Sequence, residues 1–362
     1  MTTSLDKKTK NKLINFSEND LDKVNPYKSN KDHKEYENLD IIVKKFIDIY
    51  DKARESSGKN VEDFSWLEKL NNINEDNEGE KISIGDSKQS ANINYGMPTH
   101  INGDYKNGVI YHCMFNPGTN KFKDKIKKED SNIYKYYTSG HPLDMVDLIN
   151  NKKYTTKREL DINKRIENIR GNIIGEDSMF TKELSLRKNL TDKEKKEKED
   201  QGYKIDYYMS RYYSEIVREN KYLENGFDPK KTNKLVNIEL FPLRSEKKTG
   251  VNYKDNKFSF FGAYIILHRI GKDLANIDNS KRIKPIFVFR SFEEWKNIII
   301  TVVGKLCEVN SKKATEIFEI LYNDYFYEMS SPARGSISSG NLIKDKKNKI
   351  DKSDFYNIIK NI

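Results

Sequence analysis

Cysteine is nearly missing from this chain: 2 residues in 362, Cys113 and Cys307. That excludes a disulfide scaffold and any zinc site built from several thiolates. A reducing compartment follows, so a cytoplasmic location is expected. Apolar residues are scarce too, at 35% of the chain against roughly 45–50% in an average globular protein. Nowhere do they run to the roughly 18 consecutive residues that a spanning helix needs, so no membrane partner is expected. The first dozen residues are polar and Lys-rich, without the apolar stretch of a signal peptide. Histidines number 5, and no two stand at ligand spacing on a helix; neither a metal nor another cofactor is expected.

Charge is what the chain has in excess. Asp, Glu, Lys and Arg make up 34%, with 66 basic against 56 acidic residues and a net charge of +10. The isoelectric point is about 9.1 and the mean hydropathy −0.88. A basic balance favours phosphate-bearing partners, although heavy use of Lys, Asn and Ile together also has a purely compositional reading. The length suits one large core or two medium ones.

Residues 1–105 read as a polar N-terminal extension with short helices. In Leu39–Tyr50 the apolar residues Leu39, Ile41, Ile42, Val43, Phe46, Ile47, Ile49 and Tyr50 read as falling on one helical face, and Trp66, Leu67 and Leu70 suggest a second short helix. Three apolar runs of strand length then stand out. Val109–Phe115 is stopped by Asn116-Pro117-Gly118, Leu235–Phe241 by Pro242, and Ile283–Phe289 by Arg290-Ser291. Phe258–Ile270 reads as a helix after the second run. Ser291 with Glu294 three residues later reads as a capping box, and Ala314–Tyr322 as another helix. Tyr325–Met329 leads into a Ser- and Gly-rich loop, 330–340. This alternation predicts an α/β fold of three layers with a mostly parallel central sheet. It spans 106–345, is interrupted at about 143–232 by a charged, Tyr-rich insertion, and is followed by a C-terminal helix in 346–362. Within the insertion, Tyr203, Tyr207, Tyr208, Tyr212 and Tyr213 are interleaved with Lys204, Arg211 and Arg218. Such aromatics either pack against a core or stack bases beside phosphate-binding arginines.

Loops that follow parallel strands converge on one edge of the sheet, where ligands of open α/β folds collect. Asn116, Pro117 and Gly118 offer a side-chain amide, a rigid corner and a close backbone approach. Glu239 and Arg244 flank the end of the second run. Arg334, Ser336 and Ser338 lie in a loop able to cradle a phosphate through its amides and hydroxyls. His141 follows the Tyr134–Tyr137 group, whereas His112 and His268 lie inside elements and read as packing residues.

Taken in this order, the motifs resemble those of the uracil-DNA glycosylase superfamily, nearest its single-strand-selective and mismatch-specific branches. Met114-Phe115-Asn116-Pro117-Gly118 looks like the first active-site loop. Asn237-Ile238-Glu239-Leu240-Phe241-Pro242-Leu243 looks like the strand that ends in Asn-Leu-Cys-Pro-Leu. Ser331-Pro332-Ala333-Arg334-Gly335-Ser336 stands at the final loop. The resemblance covers about 108–143 and 233–342.

It implies a uracil-DNA glycosylase-like fold and metal-free hydrolysis of an N-glycosidic bond in DNA, single- or double-stranded, with a flipped base. Asn116 would position the attacking water, with Ser331 and His141 as further candidates at the reaction. Phe115, Tyr136 or Tyr137 would hold the base, and Glu239 or Asn237 would read it. Gly118, Arg244, Arg334, Ser336 and Ser338 would meet the DNA. Two departures carry chemistry. Glu239 stands where the family has a base-reading Asn, and an ionised carboxylate only accepts hydrogen bonds, which suits an amino-bearing base such as a modified cytosine. Ser331 replaces a His, and losing one donor to a leaving group typically costs roughly 10²–10³ in rate. The rival expectation is a nucleic-acid-binding or regulatory protein that keeps the fold without the chemistry.

Overall fold

The computed structural model describes residues 4–28, 39–41, 43–44, 47–48, 99–115, 162–200, 206–242, 253–254, 256–280, 282–344 and 348–362. Its centre is an eight-stranded sheet in the order β3-β1-β4-β2-β5-β6-β7-β8. The strands are β1 (Ile101–Asn102), β2 (Ile110–Met114), β3 (Ile174–Gly175), β4 (Leu235–Glu239), β5 (Ile286–Phe289), β6 (Phe326–Met329), β7 (Leu342–Lys344) and β8 (Asn348–Lys349). The middle four, β4-β2-β5-β6, are all parallel, whereas β1 pairs antiparallel with β4 and β7 antiparallel with β6. The expected mixed α/β architecture with a largely parallel sheet is therefore present. β2 comes first in the chain among the four, yet β4 lies on one side of it and β5 on the other. The strand order thus reverses between β2 and β5, which makes their carboxyl ends the topological switch point.

Helices cover both faces, as a sheet with no wet side requires. One face carries Tyr111, Cys113, Val236, Ile238, Phe287 and Phe289 into the larger core. That core is closed by α5 (Lys257–Ala275), α6 (Phe292–Cys307) and α7 (Ser311–Tyr325), and α1 (Lys7–Asn15) lies outside α5. Trp295 of α6 anchors this layer: its indole N–H donates to the Met114 carbonyl at 2.8 Å, and Gly262 of α5 lets the ring approach. At Gly271 an added Cβ would stand 2.1 Å from the Leu13 carbonyl, so only glycine lets α1 come this close to α5. Leu13, Leu39, Val43 and Ile47 are all fully buried in the same core. Where it is described, the polar extension thus contributes apolar residues such as these directly to the fold.

The second face carries Ile110, Leu235, Ile286, Val288 and Met329. It is covered by α2 (Met179–Asn189), α3 (Tyr207–Arg211), α4 (Ser214–Asn220) and α8 (Lys352–Ile359). Phe180, Leu184, Met209, Tyr212, Tyr213 and Ile216 form its upper half. Where it is described, the segment that reads as an insertion therefore supplies a layer of the fold. Its most charged stretch, Asp192–Asp200, is a helix with ion pairs such as Lys195–Asp192 at 2.9 Å. At the start of α6 the cap position falls on Ser291, but its side chain makes no capping bond; its carbonyl accepts the first bond of the helix, from the Trp295 N–H at 3.2 Å.

Candidate functional site

Strand register builds the site. Met114 is paired with Glu239, and His112 with Asn237 on β4 and Val288 on β5. Because side chains alternate along a strand, His112, Met114, Asn237, Glu239 and Arg290 all belong to the second face, rising toward its carboxyl edge. The ladder continues past the strands: the Met114 carbonyl accepts from Leu240 N–H at 3.0 Å and that of Phe115 from Phe241 N–H at 2.8 Å. Three polar side chains, His112, Asn237 and Glu239, are thus buried in strands that are otherwise apolar.

Two of them are joined by a tyrosine from the helical layer. The Asn237 amide nitrogen donates to the Tyr213 hydroxyl, and that hydroxyl lies 3.0 Å from His112 Nδ1. Tyr213 has one proton to give, and giving it to Nδ1 corresponds to the His112 tautomer with its ring proton on Nε2. Burial, reinforced by the Arg290 charge, lowers the His112 pKa to about 3, and burial holds the Tyr213 phenol far above its ordinary value. Both groups are neutral at pH 7. His112 Nε2 and Asn237 Oδ1, a donor and an acceptor, have no hydrogen-bond partner among the described residues.

The final loop leaves the end of β6 and folds back on itself. Asn341 organises it: Oδ1 accepts from Ser331 N–H at 2.8 Å and Ser330 Oγ at 2.9 Å, and Nδ2 donates to the Ser336 carbonyl at 2.8 Å. Glu215 accepts from Ser339 N–H and Oγ at 3.2 and 2.9 Å. Ile337 N–H donates to the Tyr212 carbonyl at 2.8 Å, and Arg334 and Gly335 N–H to that of Ser331 at 3.1 and 3.3 Å. Most of the amides expected to cradle a phosphate are therefore spent holding the loop's shape. Gly335 takes a left-handed φ of +67°, and a Cβ there would stand 2.8 Å from the Tyr212 ring. Arg290 ties the loop to β5, with Nε donating to the Pro332 carbonyl at 2.9 Å.

Glu183, on α2, is buried beneath the tyrosines and accepts the Tyr208 and Met209 N–H groups, each at 2.7 Å. Burial raises its pKa to about 8 against the lowering effect of those amides.

Of the expected site residues, Asn237, Glu239, Ser331, Arg334, Ser336 and Ser338 come from strands β4 and β6 whose carboxyl ends lie on one edge. Phe115, expected at the base, has its ring in the larger core on the opposite face, edge-on to Tyr253 at 5.6 Å. Asn116, Gly118, Tyr136, Tyr137, His141 and Arg244 lie outside the described residues. Sequence reading overlooked Tyr213 as the partner of His112, and overlooked Arg290. The signal for Arg290 was its place directly after the third apolar run. Among the described residues, no group of three or more His, Cys, Asp or Glu gathers where it could hold a metal ion. None of the described helices is long and apolar enough to cross a membrane.

Fold and site together define a three-layer α/β protein with a polar carboxyl edge at its switch point. No family model, no curated protein and no solved structure matches the chain.

Proposed function

We propose that this protein is a DNA glycosylase-like hydrolase, a divergent relative of the uracil-DNA glycosylases, that excises a base at the carboxyl edge of β2, β4 and β6. One observation carries the reading: Glu239 is paired in register with Met114, two residues before Asn116, while the Ser331 loop leaves β6 in the same parallel set. Glu239 and the Ser331 loop, two of the parts given roles by the motif resemblance, thus follow strands of one parallel set, which supports the reading. Asn116 would orient a water toward the anomeric carbon; the C–N bond breaks with its electron pair leaving on the base, the sugar keeps the water's hydroxyl, and the water's remaining proton ends on the departing base. Glu239, as an acceptor, selects a base that presents an amino group. The setting that follows is DNA repair or defence against foreign DNA.

The rival reading is a nucleic-acid-binding protein without chemistry. It is favoured by the final loop, whose amides are bonded internally and whose Ser331 replaces a stronger donor. Base release from single- and double-stranded oligonucleotides carrying uracil, mismatched thymine, hypoxanthine or modified cytosines separates the two. The proposal expects an abasic product from an amino-bearing base with wild-type protein, and none with Asn116→Ala. Binding without release on every substrate, unchanged in the variant, would refute it in favour of the rival.

A further inference from the structure

Most arginines whose side chains are described have an evident task. Arg170, Arg187, Arg218 and Arg282 face carboxylates, and Arg269 donates to the Gly108 and Ile283 carbonyls. Arg211, Arg290 and Arg334 face no carboxylate among the described residues, although Arg290 also holds the final loop through the Pro332 carbonyl. Arg211 and Arg290 stand against Tyr212, and Arg334 precedes Gly335, whose backbone meets the same ring. The Arg211 guanidinium lies 5.5 Å from the Tyr212 ring centre and 5.6 Å from that of Tyr207. Arg290 lies 5.9 Å from the Tyr212 ring and donates to its hydroxyl at 3.4 Å. Arg334 is exposed on the loop whose Gly335 backbone rests against that ring. Glu215, the carboxylate bonded to this loop, is occupied by Ser339.

Arg211 and Arg290 both stand against the Tyr212 ring with no carboxylate beside them among the described residues, and an aromatic face only partly offsets a positive charge. Such an arrangement suits an anionic partner. Guanidinium planes held against tyrosine rings are already ordered, so little freedom is lost when their forks meet phosphate oxygens. Tyr207, half-buried beside Arg211, adds an aromatic face of the kind on which unpaired bases stack.

We propose that Arg211, Arg290 and Arg334, arrayed around Tyr212 with Tyr207 at the margin, form a surface that grips the phosphates of a single nucleic-acid strand beside the carboxyl-edge site. This rests on the nucleic-acid reading above and adds contacts from the helical layer, at Arg211 and Arg290, that the motif resemblance does not supply.

The test is binding of the full-length protein to a fluorescein-labelled 15-nucleotide oligo-dT, followed by anisotropy across a salt series. Single-strand binding should weaken with a log–log slope of about −0.7 per phosphate contact. Arg211→Ala and Arg334→Ala, both at exposed positions, should each flatten the slope by about 0.7, and the double variant by twice that. Each should weaken low-salt affinity by about three- to tenfold, the equivalent of one lost phosphate contact. Arg290→Lys, which keeps charge but loses the fork, should weaken binding with little change in slope. Arg218→Ala, which removes an arginine already paired with Glu219, should match wild type. A double variant with the wild-type slope, or no oligo-dT binding by wild type at low salt, overturns the proposal. A flattened slope without base release from any substrate retains this surface and refutes the glycosylase reading. Base release with an unaltered slope does the reverse.

Discussion

Lowering the pH from 7.5 to 5 should destabilise the protein by about 3 kcal/mol, a net of opposing proton linkages at His100, His112, His268 and Glu183. Burial depresses the folded-state pKa of His100 and His112 to about 3 and that of His268 to about 4, from an ordinary 6.5. His112 and His100 each meet a tyrosine hydroxyl through Nδ1, at 3.0 and 2.9 Å. Below pH 6.5 the unfolded chain takes up protons that these folded side chains refuse. Their stabilisation is complete above the unfolded pKa and is lost as pH falls toward the folded one. Each histidine loses about 2 kcal/mol over this interval, at about 1.4 kcal/mol per pH unit once unfolded protonation is complete. Glu183 acts oppositely: with its folded pKa raised to about 8, it holds a proton that the unfolded chain releases, and it returns about 3 kcal/mol over the same interval. Urea unfolding monitored by far-UV circular dichroism at pH 7.5, 6.5 and 5 measures the net. Glu183→Gln removes the opposing linkage and should roughly double the acid loss, whatever it does to stability at pH 7.5. Wild-type stability that is flat or rising down to pH 5 would refute the reasoning, because the histidines would then accept protons without unfolding.

Tyr213→Phe leaves His112 Nδ1 and the Asn237 amide unpaired inside the second core. At about 1–3 kcal/mol for each orphaned group, a loss of about 2–6 kcal/mol in urea unfolding is expected; less than about 1 kcal/mol would mean the two side chains do not depend on that hydroxyl. Gly271→Ala forces a methyl group onto the Leu13 carbonyl, 2.1 Å away. It should cost about 1–3 kcal/mol by overpacking and make residues 4–16 an early site of limited proteolysis, whereas a wild-type digestion pattern would show that α1 and α5 can separate at no cost.

The central strands were legible because each is a short apolar run cut off by a residue that cannot continue it. Asn116-Pro117, Pro242 and Arg290-Ser291 mark the ends of β2, β4 and β5 to within a few residues. The flanking β1 and β3, two residues each, are too short to show a period of two. The second helical layer was hidden for a similar reason. In the five residues of α3, Tyr207–Arg211, only Met209 is buried, so no 3.6-residue pattern develops, and the surrounding lysines and glutamates dominate the composition. Ser291 occupies the cap position, yet the side-chain bond that its spacing from Glu294 suggested is absent, and its carbonyl accepts only the first intrahelical bond.

The site posed a different problem, one of alignment between distant segments. A strand buried on both faces should read as a continuous apolar run, and β2 and β4 break that rule at His112, Asn237 and Glu239. Each break alone is a polar residue in a strand, with nothing to say what it faces. Parallel pairing of β2 with β4 converts them into one feature, since His112 stands opposite Asn237, and Met114 opposite Glu239. Tyr213, 101 residues from His112 in the chain, closes the layer from above. Burying three polar side chains costs more than an apolar core would, and the Tyr213 bonds recover only part of that. The cost falls on one face of two neighbouring strands, from His112 and Asn237 in mid-strand to Glu239 at the carboxyl end of β4, and only their pairing turns three separate breaks in the apolar pattern into one polar layer.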